Sequence, residues 1–407
     1  MVAIIGLAYF LASFHRLGIA VIATEVSKDL GLTIQQLGVL GSAFFYSYAA
    51  MQIPSGILTD RYGIKPVILI SLVLTTVSTV LFGLTHSYHG AYAARILLGL
   101  GVSCVYIAAL KAMREWFGDS KLGFLTGLLF SIGNLGALAA STPLLLASSK
   151  IGWRYVFLGI GMFCGLLAYL TQTQLVNTTA HHQTLRTNDG MKKQWPIVRS
   201  TLLEKRFLGI IFWFVVYLGT KMSFQGLWAT QHMEYSLGYS SLQVGNTLAV
   251  YILGNIAGGP LAGLISDRFE RERVLTAYSV AFGTTWLLLT FAAVIPYSIM
   301  LLLYTLMGMT GSGALSVGFS RVIDMSPKAV SATMLGYVNC FAFFASGMIT
   351  QFTGKWIDHV QPARGIHFGF NSLFLLFLLL SVLATIAIGK PIRDKKGQEH
   401  MKPTTES

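Results

Sequence analysis

The sequence predicts an all-α polytopic membrane protein, with twelve transmembrane helices in two pseudo-symmetric six-helix bundles. Three observations predict it. Of 407 residues, 54% are hydrophobic and only 11% charged, against about 25% charged in a soluble domain. The apolar residues gather in segments of about 20, the length that crosses a bilayer. The chain also repeats itself at about half its length.

The first-half spans run 2–24, 36–57, 66–86, 90–112, 122–146 and 154–175, and the second-half spans 207–229, 241–264, 274–295, 298–319, 330–351 and 368–389. This divides the chain into a bundle at 1–175, a polar linker at 176–206, a second bundle at 207–389 and a polar tail at 390–407. The 42 glycines suit helices that approach closely in lipid. The first span is not a secretory leader: no basic segment precedes it, and His15-Arg16 interrupts its apolar run.

A net charge of +13 suggests nucleic acid, but the basic residues lie between spans and in the tail, so they act as topology signals. Most fall on the face that carries both termini, which makes that face cytoplasmic. The expected place is a bacterial inner membrane, and the expected state a monomer. Cys104, Cys164 and Cys340 are far apart and inside apolar spans, so neither a disulfide framework nor a metal site is expected. His181-His182 sits in the polar linker without Cys or acidic company and reads as solvated loop. No nucleotide-binding loop points to a primary pump. No cofactor is expected, and the spans exclude a soluble enzyme.

The repeat is visible in the loops. "GILTDRYGIKPVIL" begins at Gly56 and "GLISDRFERERVL" at Gly263, and Asp60 and Asp267 are 207 residues apart. The pattern Gly56-x-x-x-Asp60-Arg61-x-Gly63-x-Lys65 resembles the loop signature of the major facilitator superfamily. Arg95-x-x-x-Gly99-x-Gly101 resembles its second signature, and the resemblance covers essentially the whole chain. It implies that Gly56, Asp60, Arg61, Gly63 and Lys65, with Asp267 and Arg268 in the second copy, belong to a gate. Gly56 permits close approach of spans. Asp60 suits a helix N-terminus, and Arg61 and Lys65 suit carboxylates or helix C-termini. The competing reading is topology and tight turns alone. Glu270 and Glu272 replace the later Gly and the Lys in the second copy, so its contacts should be weaker or differently paired.

Arg16, Arg95 and Lys221 fall inside spans, where a charge costs about 2.5–3.5 kcal/mol on insertion scales, and no acidic residue lies at their depth. Arg16 and Lys221 are 205 residues apart, close to the repeat offset. They are therefore expected to face each other across a central cavity, near the midplane where substrate sites sit. Tyr9 shares a face with Arg16. Tyr217, Lys221, Gln225 and Trp228 recur at helical spacing along span seven. Tyr106, Asn134, Tyr337 and Asn339 are further candidates for the cavity, with interhelical hydrogen bonding as the alternative.

Two unpaired cations repel and are costly to desolvate, and an anion relieves both costs. Arg offers a fork for phosphate or carboxylate, and Lys a movable point charge. The approach to Arg16 resembles that of the organophosphate/phosphate antiporter and organic-anion symporter branches of the superfamily. Lys221 stands where the resemblance implies a second basic residue, so a carboxylate substrate stays open beside a phosphate ester. His15 and Arg95 are candidates for coupling. Helix packing is the alternative for His15, and interfacial snorkelling for Arg95.

The expected function is secondary active transport of a small organic anion by alternating access, with anion exchange or proton symport. Two other readings remain. One is a carrier of amino acids or dipeptides that binds the substrate carboxylate through Arg16 or Lys221. The other is a non-transporting membrane sensor of anions.

Overall fold

A computed structural model describes residues 1–117, 122–175, 187–266, 268–327 and 330–388. Every regular element among them is helical. α1, Val2–Leu30, ends at Gly31 with φ 60°. α2, Ile34–Ala50, starts on a capping box: the Thr33 hydroxyl accepts from the Gln36 N–H at 3.1 Å, and Gln36 Oε1 accepts from the Thr33 N–H at 3.0 Å. That satisfies two amides that the helix start leaves open. The pass breaks at Met51 and continues as α3, Gln52–Tyr62.

α4 is Ile64–Leu84. α5, Tyr88–Ser103, and α6, Val105–Phe117, form one pass interrupted at Cys104; α7, Leu122–Ala139, and α8, Thr142–Ile151, form another; α9 is Trp153–Gln174. The linker, expected as polar loop, contains a helix, α10, Thr187–Leu202. His181-His182 and the tail 390–407 lie outside the described residues.

The second half opens with α11, Lys205–Ser223, which runs into two π-helical stretches, Phe224–Trp228 and His232–Ser236, around the short α12, Ala229–Gln231. α13, Ser241–Ser266, α14, Arg271–Leu289, α15, Tyr297–Met325, and α16, Ser331–Ala387, follow. Nine helical stretches among the described residues are long and apolar enough to cross a membrane. One of them, 333–387, is too long for one crossing, since a helix rises about 1.5 Å per residue and the hydrocarbon core is about 30 Å thick. Gly365, with φ 78° and ψ 163°, breaks it into two passes. α2–α3 is broken at Met51, and α14 opens on Arg271, Glu272 and Arg273. Together these helices fit the twelve-span reading.

α13 and α15 touch backbone to backbone. A Cβ on Gly258 would stand 2.1 Å from the Met309 carbonyl oxygen, and one on Gly308 would stand 2.1 Å from that of Tyr251. Small residues make this approach possible. It sets Tyr251 and Gly311 beside Lys221.

Side chains also tie the halves together. The Thr24 hydroxyl donates to the Glu234 carboxylate and accepts from Gln231 Nε2 at 3.4 Å. Thr142 Oγ1 donates to Asn246 Oδ1 at 3.3 Å. The first contact lies near the end of α1, and the second joins the start of α8 to the first turns of α13. Nearer the middle, Tyr46 donates to Gln351 Oε1 at 2.9 Å.

Candidate functional site

Arg16 is half-buried on α1, and its guanidinium carbon lies 5.5 Å from the centre of the Tyr48 ring and 6.0 Å from that of Phe343. Those rings are 4.6 Å apart, one from each half. Aromatic faces attract a cation, but they do not neutralise it, and Arg16 Nε has no hydrogen-bond partner. Tyr9 and Tyr106 extend the wall, with ring centres 5.3 Å apart, and Phe130 follows 5.5 Å from Tyr106.

Lys221 is 4% exposed. Its Nζ lies 5.6 Å from the centre of the Tyr251 ring. Among the described residues, no carboxylate is within ion-pair distance of Arg16, Lys221 or Arg95. The two arrangements mirror each other. Tyr48 and Tyr251 are 203 residues apart, close to the repeat offset, so each half sets its cation over a tyrosine from its own second span. Neither tyrosine stood out in the sequence: the 207-residue offset carries Tyr48 to Asn255, one helical turn past Tyr251.

Gly311 gives Lys221 its room, because a Cβ there would stand 3.0 Å from Lys221 Cε and 2.9 Å from the Phe282 ring. Gly311→Val is expected to displace the Lys221 chain and to raise the KM for substrate at least about tenfold, the equivalent of 1.4 kcal/mol. Initial uptake rates against substrate concentration would measure it; an unchanged KM would mean that Lys221 does not need this gap.

Gln225, 7% exposed, faces a small cavity between the halves, shared with Leu17, Val21, Ser141 and Tyr251. Two members of the expected stripe go elsewhere. The Tyr217 hydroxyl donates to the Ser279 carbonyl at 2.8 Å and meets Thr385 Oγ1 at 2.9 Å, and its ring stacks on Trp213. Trp228 Nε1 donates to the Thr350 carbonyl at 3.1 Å, and its ring packs against Gly38 and Gly354. For Trp228 the cause is the π stretch that begins at Phe224. An α-helix advances about 100° per residue, so the extra residue in a π turn swings later side chains off the stripe. Asn134, Tyr337 and Asn339 are half-buried on α7 and α16, outside the ring cluster around Arg16.

His15 points into the first half instead. Its Nε2 lies 3.3 Å from Thr79 Oγ1 and 3.8 Å from Cys164 Sγ, and Phe14 and Phe157 flank the ring. Arg95 does not snorkel: it is 3% exposed, with its guanidinium carbon 4.9 Å from the centre of the Phe44 ring.

In the loop signature, Gly63, with φ 85°, ends α3 in a conformation that glycine adopts without strain. Lys65 Nζ donates to the Gln172 carbonyl at 2.8 Å, at the C-terminus of α9, where a cation is favoured. Lys111 Nζ donates to the Thr59 carbonyl at 3.0 Å. Arg61 lies over the Tyr62 ring, 5.4 Å from its centre, and meets no carboxylate among the described residues. Gly56 is mid-α3, and nothing lies within 4 Å of where its Cβ would stand. It therefore marks no tight approach in this conformation. Asp60 lies on α3 with its side chain outside the description, Asp267 is outside the described residues, and Arg268 is exposed. The second copy is paired differently: Arg271 meets Asp324 at 2.7 Å, Arg273 meets Glu270 at 2.8 Å, and Glu272 pairs with the buried Arg321.

The comparisons agree with this architecture. The model of the Major Facilitator Superfamily matches residues 5–230 and 213–406. The probable sulfoacetate transporter SauU of Cupriavidus necator is 26% identical over 275 residues, 65% of this chain and 64% of that protein. The probable galactarate/D-glucarate transporter GarP of Escherichia coli is 25% identical over 409 residues, 91% of each chain. Among solved structures, the D-xylose-proton symporter superposes with a TM-score of 0.81 over 98% of both chains at 15% identity, a likeness of fold. With twin helical halves, a cation in each half at equivalent positions and a family model matched along both, this chain belongs to the Major Facilitator Superfamily and is a membrane transporter rather than an enzyme.

Proposed function

We propose that the protein is a secondary active carrier of small organic anions, and that the substrate lies between Arg16 and Lys221. One observation carries the reading. Each half supplies a cation set over a tyrosine, and no carboxylate among the described residues pairs with either. An anion with acidic groups at two ends answers both charges and bridges the halves. The substrates in the relatives' names, sulfoacetate and galactarate or D-glucarate, have that form. Tyr9, Tyr106 and Gln225 line the approach.

Alternating access follows if the halves, 1–175 and 207–389, rock about the site as bodies joined by 176–206. The contacts of Thr24 with Glu234 and of Thr142 with Asn246 then hold one face shut. The basic bias supports cytoplasmic termini, and the carrier acts as a monomer in a bacterial inner membrane. Coupling is by anion exchange or proton symport. Carriage of amino acids or dipeptides is disfavoured, because among the described residues no carboxylate pairs with either cation or lines the cavity at Gln225 to receive a substrate amine.

Proteoliposomes loaded with a sulfonate-carboxylate, a dicarboxylate, a phosphate ester or a dipeptide test this by counterflow. Two-ended anions are expected to exchange fastest. Exchange of dipeptides alone would overturn the substrate class, and binding without counterflow would favour a sensor.

A further inference from the structure

We infer that a second site, for one halide-sized inorganic anion, lies inside the first half between α1, α4, α5 and α9. It is a cavity of about 10 Å³ lined by His15, Thr79, Arg95 and apolar neighbours, enough for one water-sized occupant. His15 precedes Arg16 and points about 100° away from it around α1, so this cavity is separate from the central one. Arg95 is buried, its Nε has no partner, and no carboxylate among the described residues pairs with it. A buried, uncompensated charge costs several kcal/mol. The Phe44 face softens that cost without cancelling the charge. A water would satisfy N–H groups but leave the charge, whereas a small anion answers both.

His15 lines the same space. It is 1% exposed, its Nδ1 has no partner, and its Nε2 meets Thr79 Oγ1 at 3.3 Å and Cys164 Sγ at 3.8 Å. Arg95 brings the charge and the donors to this one small space, which admits no carboxylate or phosphate ester. The ion ties α5 to α1 and α4, and so steadies the half that carries Arg16.

Crystals of the full chain grown in sodium bromide test the site by anomalous scattering. A parallel titration follows the melting temperature in detergent as bromide replaces sulfate, an ion too large for the cavity. The expected result is a bromide peak beside Arg95 and His15. The stabilisation midpoint should be unchanged in Arg16→Gln and at least about tenfold higher in Arg95→Lys, which keeps the charge and loses the fork. An ordinary water at the position, a bromide peak only between Arg16 and Lys221, or a response that follows Arg16 would each overturn the proposal.

Discussion

Arg16→Ala is expected to lower kcat/KM for uptake by at least about 30-fold. Truncating one partner of a desolvated, hydrogen-bonded charge pair costs about 2–5 kcal/mol, and each 1.4 kcal/mol is tenfold. The stability change should run the other way. Arg16 meets no carboxylate among the described residues, so the truncation removes a partly desolvated, uncompensated charge from the empty site. The variant should melt no lower than the parent, despite its lost uptake. Loss of both together would mark Arg16 as a packing residue. Arg16→Lys separates charge from shape: it keeps a cation but not the planar fork, and should recover only part of the rate.

Lys221→Glu should abolish transport and raise the melting temperature by several degrees. The substitution replaces a repelling pair by an attracting one, so Arg16 gains from within the chain the carboxylate that substrate otherwise brings. The site is then occupied by its own side chains, and a tie runs between the two halves. Burial discounts the gain, because both charges must leave water, but Arg16 is half-buried already and has no competing partner to give up. Thermal unfolding in detergent with and without substrate separates the outcomes. A stabilised protein that no longer responds to substrate is expected, and a lower melting temperature would show that the two residues do not meet.

Much of this was legible before any coordinates. Spans follow from segment length and hydropathy, both local properties, and the repeat made Arg16 and Lys221 equivalent. What escaped depends on backbone phase and on packing between distant segments. Tyr217 and Trp228 were placed on Lys221's stripe by an unbroken 3.6-residue period, and no residue in "FQGLW" announces the π turn that ends it. Tyr217 was also lost to partners on α14 and α16, Ser279 and Thr385, which no spacing within span seven can reveal. The composition of 176–206 spoke for loop, yet 187–202 is helical. Phe343 reached Arg16 through the pairing of α2 with α16, a contact between residues 295 apart from Tyr48. Interfacial snorkelling stood beside coupling as a reading of Arg95, because sequence gives depth along a helix but not which side faces lipid.

The two π stretches carry a consequence for how this protein can vary. A wide turn is an insertion absorbed without a loop, so helix length here works as a dial for rotation. Deleting one residue between Phe224 and Trp228 would shorten the span by only about 1.5 Å but turn everything after it by about 100°. Gln231 and Glu234, which reach Thr24 from beyond the first wide turn, would face away from it while Lys221 stayed in place. Ligand recognition and closure of that face are therefore mechanically separable within one helix, and related chains that differ by one residue there would share a binding chemistry but not a latch.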